Sequence, residues 1–374
     1  MHTFKNFKNF ADAEIDLSKP MTVLIGRNGS GKSNLIEGVE LLAEILKKGT
    51  SIFKNTSDIE RGGDFQIRGS LNGCARQGHE SFEVGFKNKQ EQGLFRCNFK
   101  VNFKPSFSIE SLKNFPDNAS ASMDIIQPEP KINTREIEYP YTLVSVFDAY
   151  PRVMRGYSPI GLNQLSKNGS NLSSVLYYLH QNEPVILENI LNNIKQLPEE
   201  DIEIFDFITT SDNSDVLVAL KYTNGQVISA KLLSDGTLRA LAILTALETV
   251  PEGSRIIIEE IDNGIHASRV NVLLNAIWEA SNRRNLHTLI TTHNPATLDE
   301  LSEEQLDGVV VCHYDKASQS AKLTPFFEIP NVDVLMQKGK LGGLVTRNVI
   351  ERYLDPDFEK EQEAIALKWL ESCK

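Results

Sequence analysis

The sequence predicts an α/β fold that carries an antiparallel β lobe and an inserted small helical lobe, on three observations. Met21-Thr-Val-Leu-Ile25 is a continuous apolar run that enters a glycine-rich turn and then a helix-period segment, the pattern of a strand buried on both faces. From Phe65 to Lys113 the apolar period drops to two. From Ser234 onward, helix-period and short apolar segments alternate, as they do in parallel sheets.

In chain order, a strand over Asp16–Ile25 is followed by a helix over Ser33–Lys48, with Leu35, Ile36, Val39, Leu42, Ala43 and Leu46 on one face. Phe82, Val84 and Phe86 alternate with polar or small residues. After a turn at Lys89–Gly93, Phe95, Cys97, Phe99, Val101 and Phe103 do the same. That is a hairpin with one buried face. Pro105–Pro198 holds nine of the fifteen prolines, which excludes a long coiled coil but leaves room for helices near Asn171–Gln181 and Pro184–Gln196. Asn224-Gly225 turns a second hairpin, Val216–Tyr222 with Gln226–Leu233. Helices over Thr237–Glu248 and Arg269–Ser281 precede strands over Arg255–Glu259 and Leu286–Thr292. A strand over Gly308–His313 and a tail helix over Asp357–Ser372 close the order.

The chain has 374 residues and a net charge of −11, which argues against a uniformly basic nucleic-acid coat but allows a local basic patch. No run approaches the ~20 apolar residues of a spanning helix, and Met1–Lys5 opens no secretory signal. Cys74, Cys97, Cys312 and Cys373 lie far apart without a CxxC, so the expected compartment is a reducing cytoplasm.

Gly26-Arg-Asn-Gly-Ser-Gly-Lys32-Ser33 matches GxxxxGK[ST]. The glycines let backbone N–H groups turn inward on phosphate oxygens. Lys32 reaches the β/γ-phosphates, the Ser33 hydroxyl suits Mg²⁺, and the helix N-terminus adds its positive end. The phosphate-binding set is Gly26, Asn28, Gly29, Ser30, Gly31, Lys32, Ser33 and Asn34. Ile256-Ile-Ile-Glu259-Glu260 ends a strand in two carboxylates, at the sheet edge where open α/β folds bind ligands. One can support Mg²⁺ and the other can deprotonate an attacking water. His293 ends the next strand, where it could reach a γ-phosphate. Ser234 and Gly236 open a helix. Their local sequence suits an N-cap as well as an anion site.

This order of motifs resembles the ABC-type P-loop ATPase head, in particular the RecF/SMC-like group of AAA-type ATPases, with Phe7-Lys-Asn-Phe10 and Val23–Leu35 similar to that group's N-terminus. The resemblance covers about 1–46 and 233–311. It implies ATP and Mg²⁺ as ligands, with Lys32 and Ser33 on phosphate and metal. Glu259 would be the metal-supporting acid, Glu260 the catalytic base and His293 the switch histidine. Ser234 and Gly236 would contact ATP held by a second subunit, giving a head-to-head homodimer around two ATP. His266 falls where a loop acid of the family lies, and Lys8 where a basic residue approaches nucleotide. Glu259 stands in place of the family's Asp and Asp235 in place of a Gly. The family's loop glutamine has four candidates, Gln66, Gln77, Gln90 and Gln92.

The expected organisation is one split head: a phosphate-loop half with its β lobe (1–104), an inserted, partly helical lobe (105–200), a second half with the remaining motifs (201–330) and a helical tail (331–374). Related OLD-type proteins append a TOPRIM nuclease. Here the only late Asp-x-Asp, Asp355-Pro-Asp357, reads as a turn and helix cap. The resemblance therefore implies a separate effector, a nuclease or toxin, in prokaryotic anti-phage defence. Two alternatives are a RecF-like repair ATPase that binds DNA directly and an ATP-binding scaffold with little turnover. Arg96, Lys100 and Lys104 share one strand face and are candidate phosphate contacts for DNA, as against a plain solvated face.

Overall fold

The computed structural model describes residues 1–48, 67–69, 72–90, 93–102, 108–114, 120–124, 143–198, 201–355 and 357–358. The chain opens with strands β1 (His2–Phe7), β2 (Phe10–Ile15) and β3 (Met21–Ile25), then helix α1 (Lys32–Lys48). Strands β4 (Ser81–Gln90), β5 (Gly93–Asn102), β6 (Ser108–Asn114), β7 (Ser120–Asp124), β8 (Val144–Phe147) and β9 (Ser158–Pro159) follow. Helices α2 (Leu172–Asn182) and α3 (Pro184–Ile194) precede β10 (Ile202–Thr209), β11 (Asp215–Tyr222) and β12 (Val227–Ser229). Then come α4 (Asp235–Thr249), β13 (Arg255–Ile258), α5 (Ala267–Arg283), β14 (His287–Thr291), β15 (Val309–Asp315) and β16 (Ser320–Pro325). The short helix α6 (Val349–Tyr353) is the last one described.

Among the described residues these strands form three sheets. The central one has the order β16-β15-β3-β14-β13-β8, parallel except for the β15–β16 pair. An antiparallel sheet runs β2-β1-β4-β5-β6-β7, and a smaller one is built on β10-β11-β12 with β9 beside β11. The antiparallel lobe thus continues past Lys104 into β6 and β7. The stretch read as an inserted lobe also supplies β8, an edge strand of the central sheet.

The burial of all five residues of β3 has a direct cause. Met21, Val23 and Ile25 pack into one core with α4 and α5, while Leu24 points into the other, with Leu35, Val39 and Leu42 of α1 and Phe4, Phe7 and Phe82 of the lobe. Neighbouring strands split the same way: Ile256 and Ile258 on one face, Ile257 on the other. A sheet covered on both faces makes its central strands mostly apolar, with small polar residues such as Thr22 and Thr288 buried among them. Gly38 lets α1 approach the lobe. A Cβ there would stand 2.5 Å from the Phe4 ring, and the Phe4 and Phe7 rings meet at a tilt of 36° with centroids 5.9 Å apart.

This packing places the C-terminal ends of β3, β13 and β14 at one edge, so the glycine loop, the two glutamates and His293 all emerge there.

Candidate active site

The phosphate loop joins β3 to α1. Gly26, Gly29 and Gly31 have φ of +146°, +80° and +125°, a region that side chains strongly disfavour. Space is short as well: a Cβ on Gly26 would stand 2.1 Å from the Cys312 carbonyl oxygen, and one on Gly31 2.7 Å from Asn9 Nδ2. Lys32 is 8% exposed, and its ammonium donates to the carbonyls of Gly26 (2.5 Å) and Arg27 (3.1 Å). Burial holds its pKa below the ordinary lysine value. A poorly hydrated cation at a helix N-terminus is suited to phosphate oxygens. Ser30 is 7% exposed, and its Oγ has no hydrogen-bond partner among the described residues.

Opposite the loop, Glu260 follows the end of β13 with φ +48°, a conformation rare outside glycine. Its N–H donates to Thr291 Oγ1 at 2.9 Å. One carboxylate oxygen lies 3.0 Å from His293 Nε2 and the other accepts from Asn263 Nδ2 at 3.4 Å. The Glu260 and His293 side chains are about half exposed, 50% and 46%. A cavity of about 390 Å³ is lined by Asn28, Gly29, Gly31, Lys32, Ser33, Asn34, Arg68, Glu260 and His293. The loop, Glu260 and His293 therefore face one space.

Glu259 does not line this cavity, and its N–H donates to the Phe147 carbonyl at 3.2 Å. Burial raises its carboxyl pKa, and the Asp148 charge adds to the shift. Lys8 is committed to Glu37 and to the carbonyl of Arg68 (3.2 Å); Arg68, not Lys8, forms the cavity wall. Ser234 caps α4, its Oγ accepting from the Thr237 N–H at 3.0 Å. Ser234 and Gly236 do not line the loop's own cavity. His266 caps α5, its ring nitrogen accepting from the Ser268 N–H at 3.3 Å.

Three neighbours of the site are not among the candidate residues. Asn9, in the β1–β2 turn, donates to the Ser30 carbonyl at 3.0 Å and accepts from Asn34 Nδ2 at 2.8 Å, so the antiparallel lobe braces the phosphate loop. Arg27 binds Glu351 and Asn348 beside α6. Asp148 follows β8 next to Glu259. An apolar strand ending in an acid, the signal that marked Glu259, is present in Val144–Asp148 too. A larger cavity, about 920 Å³, adjoins Arg27, Ser30, Tyr314 and Arg352. Of its charged walls, Arg27 pairs with Glu351 and Lys316 with Asp355.

Among the DNA-contact candidates, Lys104 lies outside the described residues. The register sets Arg96 between Lys87 and Asn114, and Lys100 between Glu83 and Glu110, so acidic positions flank the central lysine on both sides. Gln66 and Gln92 also lie outside the described residues. Gln77 does not line the 390 Å³ cavity.

A family model described as "AAA domain, putative AbiEii toxin, Type IV TA system" matches residues 21–299. The chain belongs to this family. It is also similar to the DNA replication and repair protein RecF of Picosynechococcus sp., 26% identical over 182 residues, and to RecF of Gloeobacter violaceus, 37% identical over 143 residues. These alignments span 49% and 33% of this chain and only 44% and 36% of the relatives' own lengths. An "ATP/GTP phosphatase" of Helicobacter pylori is 24% identical, over 80% of this chain and 86% of that one. Among solved structures, an SMC head bound to the C-terminal winged-helix domain of ScpA superposes with a TM-score of 0.54 at 14% identity. It covers 86% of this chain and 96% of that one. The SMC head with an extended coiled coil derived from Pyrococcus furiosus gives 0.52 at 12%, covering 90% and 98%. The fold is that of an SMC/ABC-type head, and the chain is a P-loop ATPase-family protein related to RecF and SMC heads. No helix of the described residues is long and apolar enough to cross a membrane.

Proposed function

We propose that this protein hydrolyses ATP as a switch: two heads close head-to-head on two nucleotides, and the closed state controls a separate effector. The observation that carries the reading is the Glu260–His293 pair facing Lys32 and Ser33 across one cavity. The loop N–H groups and Lys32 hold the β- and γ-phosphates. The buried Ser30 Oγ without a partner and the cradle that a Cβ on Gly26 or Gly31 would fill fit a polyanion. Ser33, which lines the cavity, would hold Mg²⁺, and the ion when bound would neutralise charge on the phosphoryl oxygens; Glu259 lies outside that lining and does not fit as its second ligand. Glu260 takes the proton of the attacking water as its oxygen bonds to the γ-phosphorus. The bond to the bridging oxygen breaks, and ADP and phosphate leave. His293 orients the Glu260 carboxylate and meets the γ-phosphate. A positioned base contributes about 10²–10⁴-fold.

The dimer and the effector rest on analogy. Ser234 and Gly236 cap a helix away from their own chain's cavity, as expected if they serve a second head's nucleotide. The family's description reads "putative AbiEii toxin, Type IV TA system", which supports a toxin-linked role; the separate effector and the anti-phage setting rest on the resemblance to the ATPase group alone. The RecF likeness supports a second reading, direct DNA binding in repair. Phosphate release from the purified protein tests the first step. Glu260→Gln should lower kcat at least 100-fold with ATP still bound, and Lys32→Ala should weaken binding. Equal turnover in wild type and Glu260→Gln would remove Glu260 as the base.

A further inference from the structure

We infer that Arg239 is a positioning residue that couples the Ser234–Thr237 turn to Glu260 of the same chain; the inference rests on reading Glu260 as the base. Arg239 lies in the second turn of α4, a helix buried from Gly236 to Glu248, and is itself 6% exposed. Its flanking positions Leu238, Ala240 and Leu241 are apolar and at most 1% exposed. A guanidinium in such a place is unfavourable unless it is paired. Here the pairing is incomplete. Nη1 donates to the backbone carbonyl of Glu260 at 3.4 Å, while Nε has no acceptor among the described residues. Burial pulls the guanidinium pKa down, opposed by the charges of Asp148 and Glu260, in that order. A residue present only to fill the core would have no such cost.

What it touches is also strained. Glu260 has φ +48°, and its peptide groups are held from three directions. Thr291 Oγ1 takes its N–H, the Asn263 N–H donates to its carbonyl at 2.9 Å, and Arg239 reaches the same carbonyl from α4. The first turn of α4 meets this loop a second time: a Cβ on Gly236 would stand 2.9 Å from the Gly264 carbonyl oxygen. Arg269 Nη1 of α5 also donates to Thr237 Oγ1 at 3.2 Å. Movement of the turn at Ser234 is therefore transmitted to the backbone that aims the Glu260 carboxylate. In a closed pair of heads, seating Ser234 on one nucleotide would set the base at the other.

The test separates turnover from binding in Arg239→Met and Arg239→Lys. The readouts are single-turnover hydrolysis and the equilibrium Kd of a fluorescent ATP analogue. Arg239→Met should slow hydrolysis at least tenfold with Kd within twofold of wild type, and Arg239→Lys, which keeps a donor and a charge, should recover part of the rate. A rate within twofold of wild type, or a Kd that weakens in step with the rate, overturns the inference. If Arg239→Met does not fold, Arg239→Lys decides: a rate below one third of wild type at unchanged Kd supports coupling, and a higher rate overturns it. Hydrolysis that Glu260→Gln abolishes but Arg239→Met spares overturns the role of Arg239 alone. Hydrolysis that Glu260→Gln leaves intact overturns the reading of the base, and this inference with it.

Discussion

At the scale of single residues, the site is a set of side chains held by neighbours outside the phosphate-loop pattern. Asn9 is the clearest. It contributes nothing to a phosphate-loop pattern, yet it accepts from Asn34 and donates to the Ser30 carbonyl, fixing the loop from outside. Each such bond is worth about 1 kcal/mol net. Asn9→Ala is therefore expected to weaken ATP binding about five- to thirtyfold with little change in melting temperature, and titration calorimetry would show it. Unchanged affinity would mean that the loop is rigid without the brace. His2 gives a second prediction, on pH. It is fully buried beside Arg255, and burial, with the Arg255 charge adding to it, holds its pKa well below the free value of 6.5. The folded imidazole stays neutral where the unfolded one gains a proton, so this residue costs stability as pH falls below about 6.5. Melting temperature should drop less between pH 7.5 and 5.5 in His2→Gln than in wild type. Identical slopes would contradict the assignment.

Elements explain why the chain's motifs converge. Strands β3, β13 and β14 are parallel neighbours, so three segments far apart in sequence end at one edge. The antiparallel lobe reaches the same edge through α1, whose Gly38 admits the Phe4 ring. Gly38→Val should destabilise by about 1–3 kcal/mol through overpacking, read as a shift in the denaturation midpoint. A midpoint equal to wild type would mean the lobe yields freely. Much of this was legible in advance. The apolar run of β3, the phenylalanine alternation of β4 and β5 and the helix period of α1 each stand within one short window, where burial pattern and local propensity agree. Glu260 and His293 were legible for the same reason, as polar residues ending apolar strands. Strand β8 was not: four residues among prolines carry too short a period, and only pairing with β13 makes them a strand. Arg68, Asn9 and Asp148 escaped because their roles arise from contacts between elements. The pairing of Lys8 with Glu37 was hidden likewise, since the two meet only when the β1–β2 turn packs on α1.

Over the whole molecule, the two halves of the head differ in what they offer. The first carries the phosphate loop and its brace. The second carries Glu260, His293 and, on the buried helix α4, a capped turn that lies outside the cavity they line. On the proposed reading, a single head holds one nearly complete site and a turn that serves a second head's nucleotide. The net charge of −11 and the glutamates beside Lys100 make nucleotide, not nucleic acid, the first ligand to test. The central claim, that ATP joins two heads and Glu260 breaks them apart, is tested most directly by solution mass. Light scattering of Glu260→Gln with ATP and Mg²⁺ should give twice the monomer mass, reverting to monomer when Ser234→Arg is added. A Glu260→Gln protein that binds ATP and yet stays monomeric, or a dimer that survives Ser234→Arg, would contradict the account.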